Sequence, residues 1–424
     1  GISLPRLQEL REALDRESES LSLLTGAQAG EIIEPYITPT DPAGDPLYRF
    51  LKSIAGNGGR GAGLLVRGPR SSGKTHLLAV ADLLLEYPRV RPLMAATHEG
   101  YEALLKSLER VDPLLVVPVP LQEHRAHDEH LEDIVFDRTE AELRRARYGL
   151  ALPLSEHSYA LDLIERHVAP RYQAELDAHV ANLPGTQRSW RELVERNPAA
   201  AVAAGRAFAQ EIGYPLDFRQ SRVERLARLL DIVNTRHYKA LVWLVDDLGQ
   251  FLAASGQKAV RNDAAFLEFV GQRSKIAPLY VLGTLNLALD QTATIEPYML
   301  ASIQDTYEAL TLSAGELRRV NRQRALQVAD TARLEAAVDE ISALYDRAFG
   351  QRSFTREELL ASYPLHPLAL SCLEGIYNRF LSEADALADF LQNLAGGPGR
   401  GALLERNYRQ LLSTGEVLAY LGPR

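Results

Sequence analysis

The stretch Gly68-Pro-Arg-Ser-Ser-Gly73-Lys74-Thr75 constrains this chain more than any other, because it fits G-x-x-x-x-G-K-[ST] in the setting that pattern requires. Before it runs GAGLLVRG (61–68), a short apolar segment bounded by glycines, and after it THLLAVADLLLEY continues with helical spacing until Pro88. That is a strand, a glycine-rich loop and a helix. In such a loop the main-chain N–H groups and the positive end of the helix converge on an anion, and glycine removes the side chain that would keep phosphate away. The expected contact set is Gly68, Pro69, Arg70, Ser71, Ser72, Gly73, Lys74, Thr75 and His76. Lys74 is placed to neutralise β- and γ-phosphates and the Thr75 hydroxyl to ligate Mg²⁺, so ATP and Mg²⁺ are the expected cofactors. An ordinary glycine turn is the plainer alternative, and the strand before the loop with the helix after it argues against that.

Further apolar runs place more strands. PLLVVPVP (113–120) and ALVWLVDD (240–247) are short, branched and flanked by polar residues, as buried parallel strands are, with Trp243 as core. APLYVLGTLN (277–286) reads as a fourth strand and TYEALTL (306–312) as a fifth. The run at 240–247 ends in Asp246-Asp247. This arrangement puts the first acid on the metal with Thr75 and the second on the attacking water, which makes Asp247 the candidate base. Asp247 is one methylene shorter than a glutamate, so slow turnover is expected. From the fourth strand Asn286 is the first choice for a polar group sensing the γ-phosphate, with Thr284 in reserve. His124, His127 and His130 are spaced i, i+3, i+6. On a helix the third member swings off the shared face, so a solvated polar loop is expected there rather than a zinc site.

These pieces define an α/β chain: a P-loop NTPase parallel sheet with a helical insertion, followed by an all-α lid. A helix and linker are expected over 1–40, the ATPase core over 41–312 with the insertion at about 121–238, and the lid over 313–424. The strand at 113–120 falls in sequence between the two motif strands. That order suits the class with an extra strand inserted between them in the sheet, to which the AAA+ ATPases belong.

A formal net charge of −9 argues against a surface that is basic all round, since nonspecific nucleic-acid affinity comes from many cationic contacts, and leaves room only for a local basic groove. The single cysteine, Cys372, expected as a small buried apolar residue, excludes an internal disulfide, so a reducing cytoplasm is expected. No apolar run approaches the roughly 20 residues of a membrane span. The start at Gly1 without methionine suggests a trimmed tag or an excised fragment of a larger protein.

Beyond the phosphate motifs, VDDLGQFL (245–252), YPLHPLAL (363–370) and SEADALADFLQNL (382–394) resemble the BrxC and PglY family of large P-loop ATPases from bacterial BREX and phage growth limitation systems. The resemblance runs from about residue 60 to 395 and leaves the insertion unaligned. It implies ATP-driven work in antiphage defence, as a homo-oligomer or with other defence proteins, on DNA, with no membrane involved. It also implies that this chain is the N-terminal ATPase portion. Asp305-Thr306-Tyr307 stands where an Asp-Arg-Phe type turn is expected, so an arginine finger does not carry over there; Arg318 and Arg319 are weaker substitutes. The competing function is a nucleotide-dependent switch or scaffold with negligible hydrolysis, which the short acid at Asp247 favours. A DNA helicase is disfavoured, since no further helicase motif is found.

Overall fold

The structure, a computed structural model, describes residues 4–312 apart from interruptions at 18–20, 37, 39–43, 57–58, 69–71, 125, 127–128, 146–151, 184–187, 215–220, 287–288 and 290–294. It also describes 330–350, 353–369, 371–372, 411 and 413. Five strands form one sheet: β1 (Ala62–Arg67), β2 (Leu114–Pro120), β3 (Ala240–Asp246), β4 (Leu279–Leu285) and β5 (Tyr307–Thr311). Each coincides with a segment read as a strand from the sequence. The order is β2-β3-β4-β1-β5 and every pairing is parallel, so all carboxyl ends meet at one edge. The strand inserted between the two motif strands is therefore β4, and β2 lies outside β3 at the border. Strands β3 and β4 are buried along their full length, which is why they read as unbroken Leu/Val runs rather than alternating ones.

Side chains alternate between two cores. Leu64 and Val66 of β1, Val242 and Leu244 of β3, and Tyr280 and Leu282 of β4 face one layer of helices. That layer holds α1 (Leu4–Arg16), α2 (Leu23–Ile33), α3 (Pro46–Gly56), α4 (Lys74–Glu86), α5 (Arg91–Thr97) and α6 (Glu102–Leu108). Helix α4 is buried on almost every face because it lies between the sheet and α1–α2; its sequence is accordingly apolar all round rather than striped. The expected N-terminal helix and linker thus belong to the core: Leu7, Leu10, Leu14, Ile32 and Ile33 are all buried there.

The insertion divides in two. Helices α7 (Leu131–Arg145) and α12 (Arg222–Ile232) pack on the opposite face of the sheet, contributing Ile134, Phe136, Leu226 and Leu229 to its core. Between them, α8 (Glu156–Leu163), α9 (Ala169–Ala181), α10 (Trp190–Arg196) and α11 (Pro198–Glu211) close around their own core of Ile164, Val168, Leu176, Trp190 and Phe208. The outer pair completes a crossover and the inner four make a separate unit, so one long insertion serves two structural needs. The sheet face is completed by α13 (Leu248–Ala254), α14 (Gln257–Ser274) and α15 (Pro297–Thr306). Trp243 is core, as expected, donating its ring N–H to Thr139 Oγ1 at 3.0 Å between Phe136 and Phe266.

In the C-terminal region α16 (Thr331–Phe349) and α17 (Arg356–Ser362) bury Val338, Ile341, Phe354 and Leu359 together. His366, from the Tyr-Pro-Leu-His-Pro motif, stacks against Tyr345 and Phe354 with ring centroids 5.6 and 5.1 Å away. Burial lowers its pKa. Cys372 is half-buried rather than fully enclosed. Residues 313–329, including Arg318 and Arg319, and 382–394 lie outside the described residues.

Candidate nucleotide site

Strand β1 delivers the chain to Gly68 and the loop returns at Gly73, whose φ of 87° and ψ of 12° put it in the left-handed region just before α4 begins. Glycine enters that region without steric cost, so the helix starts at once on Lys74. The Lys74 ammonium is held inside the loop: it is 6% exposed and donates to the Gly68 carbonyl at 2.8 Å and to Ser72 Oγ at 3.3 Å. Pro69, Arg70 and Ser71 lie outside the described residues. His76 is turned away from the loop, its Nε2 2.6 Å from the Ile32 carbonyl and its ring edge-on to Tyr36. Its side chain ties α4 to the end of α2.

At the sheet edge α4 and β4 converge on one carboxylate at the end of β3. Thr75 Oγ1 donates to Asp246 Oδ2 at 2.7 Å, and Thr284 Oγ1 donates to Asp246 Oδ1 at 2.6 Å. Asp246 is 4% exposed and Thr284 fully buried. The pairing Val245↔Gly283 sets Asp246 beside Thr284, and both point to the α4 side because Leu244 and Leu282 do. Thr284, the reserve choice, therefore bonds directly to the acid, whereas Asn286 stands one residue beyond the end of β4 and is half-buried. Two-residue alternation along 280–284, read together with Asp246, is the sequence signal that would have ranked Thr284 first.

Asp247 has φ 58° and ψ 30°, the one non-glycine residue with positive φ among those described. Its N–H donates to Thr284 Oγ1 at 2.9 Å and to Asp246 Oδ1 at 3.1 Å, and it opens α13 without capping it through its side chain. A left-handed backbone is tolerated by Asp and Asn several-fold more readily than by longer residues, so this turn favours aspartate over glutamate at the second acidic position. The short side chain and the tight turn are one feature.

Elsewhere on the rim, His124 pairs with Glu129 at 3.1 Å and His130 lies 3.6 Å from Asp263, while His127 lies outside the described residues. The two described histidines have different acidic neighbours, and among the described residues no group of His, Cys, Asp and Glu is arranged to hold a metal ion. Burial pushes the Asp263 carboxyl up to about 6; it accepts the Leu131 N–H at 3.0 Å and so caps α7 from α14.

No protein-family model matches the chain, and no curated protein matches it. Two solved structures from Aeropyrum pernix align over much of it. One is the ORC1 protein in complex with DNA (14% identity, 86% of this chain, 68% of that chain, TM-score 0.32). The other is the ORC2 protein in ADPNP–ADP complexes (14% identity, 95% of this chain, 86% of that chain, TM-score 0.29). Superposition that loose does not define a fold. The parallel sheet does, with β4 inserted between the two motif strands: this is the α/β P-loop class with an inserted strand, to which the AAA+ ATPases belong.

Proposed function

We propose that the chain binds ATP with Mg²⁺ at residues 68–76 and hydrolyses it slowly on its own. The observation that carries this reading is the junction at Asp246, whose two carboxylate oxygens accept from Thr75 at 2.7 Å and from Thr284 at 2.6 Å, with the buried Lys74 next to Thr75 in the chain. Hard oxygen donors, one hydroxyl and one carboxylate, fit a small dication that keeps its remaining positions for water and phosphate oxygens. Thr75 and Asp246 would hold that ion, which would supply Lewis-acid stabilisation of the phosphate charge. Lys74 holds the terminal phosphates, Asp247 accepts the proton of the attacking water, and Thr284 keeps Asp246 and the Asp247 amide in register. Asn286 at the end of β4 is the further polar candidate toward the γ-phosphate.

Slow turnover follows from the short acid at Asp247 and from Asp305-Thr306-Tyr307, where no arginine finger carries over. Among the described residues no arginine is bonded to Thr75, Asp246 or Thr284, and charge developing on the γ-phosphoryl oxygens calls for one. The motifs at 245–252 and 363–370 favour a role as the N-terminal motor part of a cytoplasmic bacterial antiphage defence protein, acting as an oligomer or with partners on DNA. The second reading, a nucleotide switch with negligible hydrolysis, is favoured by the bonded, left-handed turn at Asp247. Steady-state phosphate release with and without DNA separates them. Stimulation by DNA supports the motor; ATP binding with no release under either condition supports the switch.

A further inference from the structure

Three helices meet through charge at the end of α4 remote from the phosphate loop. Helix α1 contributes Arg11 and Asp15, α4 contributes Asp82 and Glu86 with Tyr87 following, and α7 contributes Glu142 and Arg145. Arg11, 5% exposed, pairs with Asp82 and reaches Glu142 at 2.9 Å. Arg145 pairs with Asp15, with Glu142 at 2.7 Å and with Glu86 at 3.3 Å. The Tyr87 hydroxyl donates to Asp15 at 2.8 Å, and Arg89 donates to the main-chain carbonyls of Leu14 and Glu17, which close α1.

Four carboxylates thus face two guanidiniums. Two of their oxygens, Asp82 Oδ2 and Glu86 Oε2, are buried and have no hydrogen-bond partner among the described residues. They belong to residues four apart on α4, on one flank of the helix. Neutralising a buried carboxylate with a proton costs far less than burying it ionised. On Glu86 that proton also halves the cluster's excess negative charge.

We propose that Glu86 carries a proton that holds α1 and α7 against α4, and that losing it weakens their docking, so that the cluster works as a proton-operated latch on the N-terminal helix. The latch stands independently of the nucleotide reading, since it concerns contacts at the other end of α4. Burial raises Glu86 from 4.5 to about 7, against the pull of Arg11 and Arg145 and with the support of Asp82 and Glu142. When α1 lifts away, Glu86 meets water and regains its ordinary value. The docked state therefore binds more protons than the released state, and docking weakens as pH rises from the ordinary value through about 7. Between about pH 6 and pH 8 this linkage raises the opening of α1 roughly tenfold.

Hydrogen exchange read by mass spectrometry on the whole chain, corrected for intrinsic rates, tests the latch on peptides spanning 4–16. In the wild type, protection of α1 falls about tenfold from pH 6 to pH 8, while the β3 peptide at 240–246 holds. In Glu86→Gln, which stays neutral, α1 protection is the same at both. Should that variant not fold, Arg145→Met removes a cation that favours ionised Glu86 and shifts the fall to higher pH. Equal α1 protection in the wild type at both pH values, an undiminished fall in Glu86→Gln, or an unmoved midpoint in Arg145→Met overturns the proposal.

Discussion

Replacing Asp247 by asparagine keeps a residue that accepts the left-handed turn and removes only the carboxylate. The expected outcome is unchanged ATP affinity with hydrolysis at least tenfold lower, checked by pairing calorimetry with phosphate release. Asp246→Asn behaves differently: it loses the carboxylate that Thr75 and Thr284 hold, so Mg²⁺-dependent binding itself falls. Finding the two phenotypes exchanged would reverse the assignment of the acids. Thr284→Val preserves the strand and its volume but deprives Asp246 and the Asp247 amide of a shared partner. It should cost about 1–3 kcal/mol of stability through the unsatisfied buried groups, read as a lowered urea midpoint. A midpoint equal to the wild type's would mean that water takes over that partnership. At this scale the meeting of Thr75 with Asp246 was legible from sequence, because a glycine-rich turn before a helix and acids at a strand end come with fixed residue types at fixed spacing. The turn at Asp247 was not, since a positive φ leaves no trace in residue order when the residue is not glycine.

Helix α1 shows how an element can be read correctly and left unplaced. The sequence reads as a helix and linker leading into the main domain, with nothing in it to say what the helix packs against. Arg11 is buried against Asp82 of α4, and its pKa is raised further by Asp82 and Glu142 despite the opposing cost of burial. A long-range ion pair between residues 11 and 82 cannot be inferred from local spacing. Arg11→Ala leaves Asp82, 1% exposed, without its cation and should destabilise the fold by about 3–5 kcal/mol. The double replacement Arg11→Met with Asp82→Leu should recover most of that loss, because a buried ion pair and an apolar pair of similar volume differ little. Denaturant titration of both variants decides it; a double variant as weak as Arg11→Ala would show that α1 is held by this pair rather than by its leucines. The strands carried no such ambiguity. Burial on both faces writes an uninterrupted apolar run, as in β3 and β4, whereas the edge strand β5 is largely exposed and carries Glu308. The division of the insertion was hidden, because helices facing the sheet and helices facing one another share the same periodicity.

For the whole molecule, the sheet brings the loop, the metal-side acid and Thr284 to one edge, while nothing described supplies an arginine to them. Turnover should therefore rise with protein concentration, with DNA or with a partner, since a supplied arginine is worth about 10³–10⁵ in rate in P-loop enzymes. A fast rate independent of concentration would mean the single chain already holds a complete site. The central claim, that residues 68–76 with Asp246 form an ATP·Mg²⁺ site, is tested most directly by calorimetric titration of Mg²⁺-ATP into the wild type and Lys74→Ala. The wild type should bind one equivalent, and the variant, lacking the loop's buried ammonium, should lose most of that affinity. Undiminished affinity in Lys74→Ala would contradict the account.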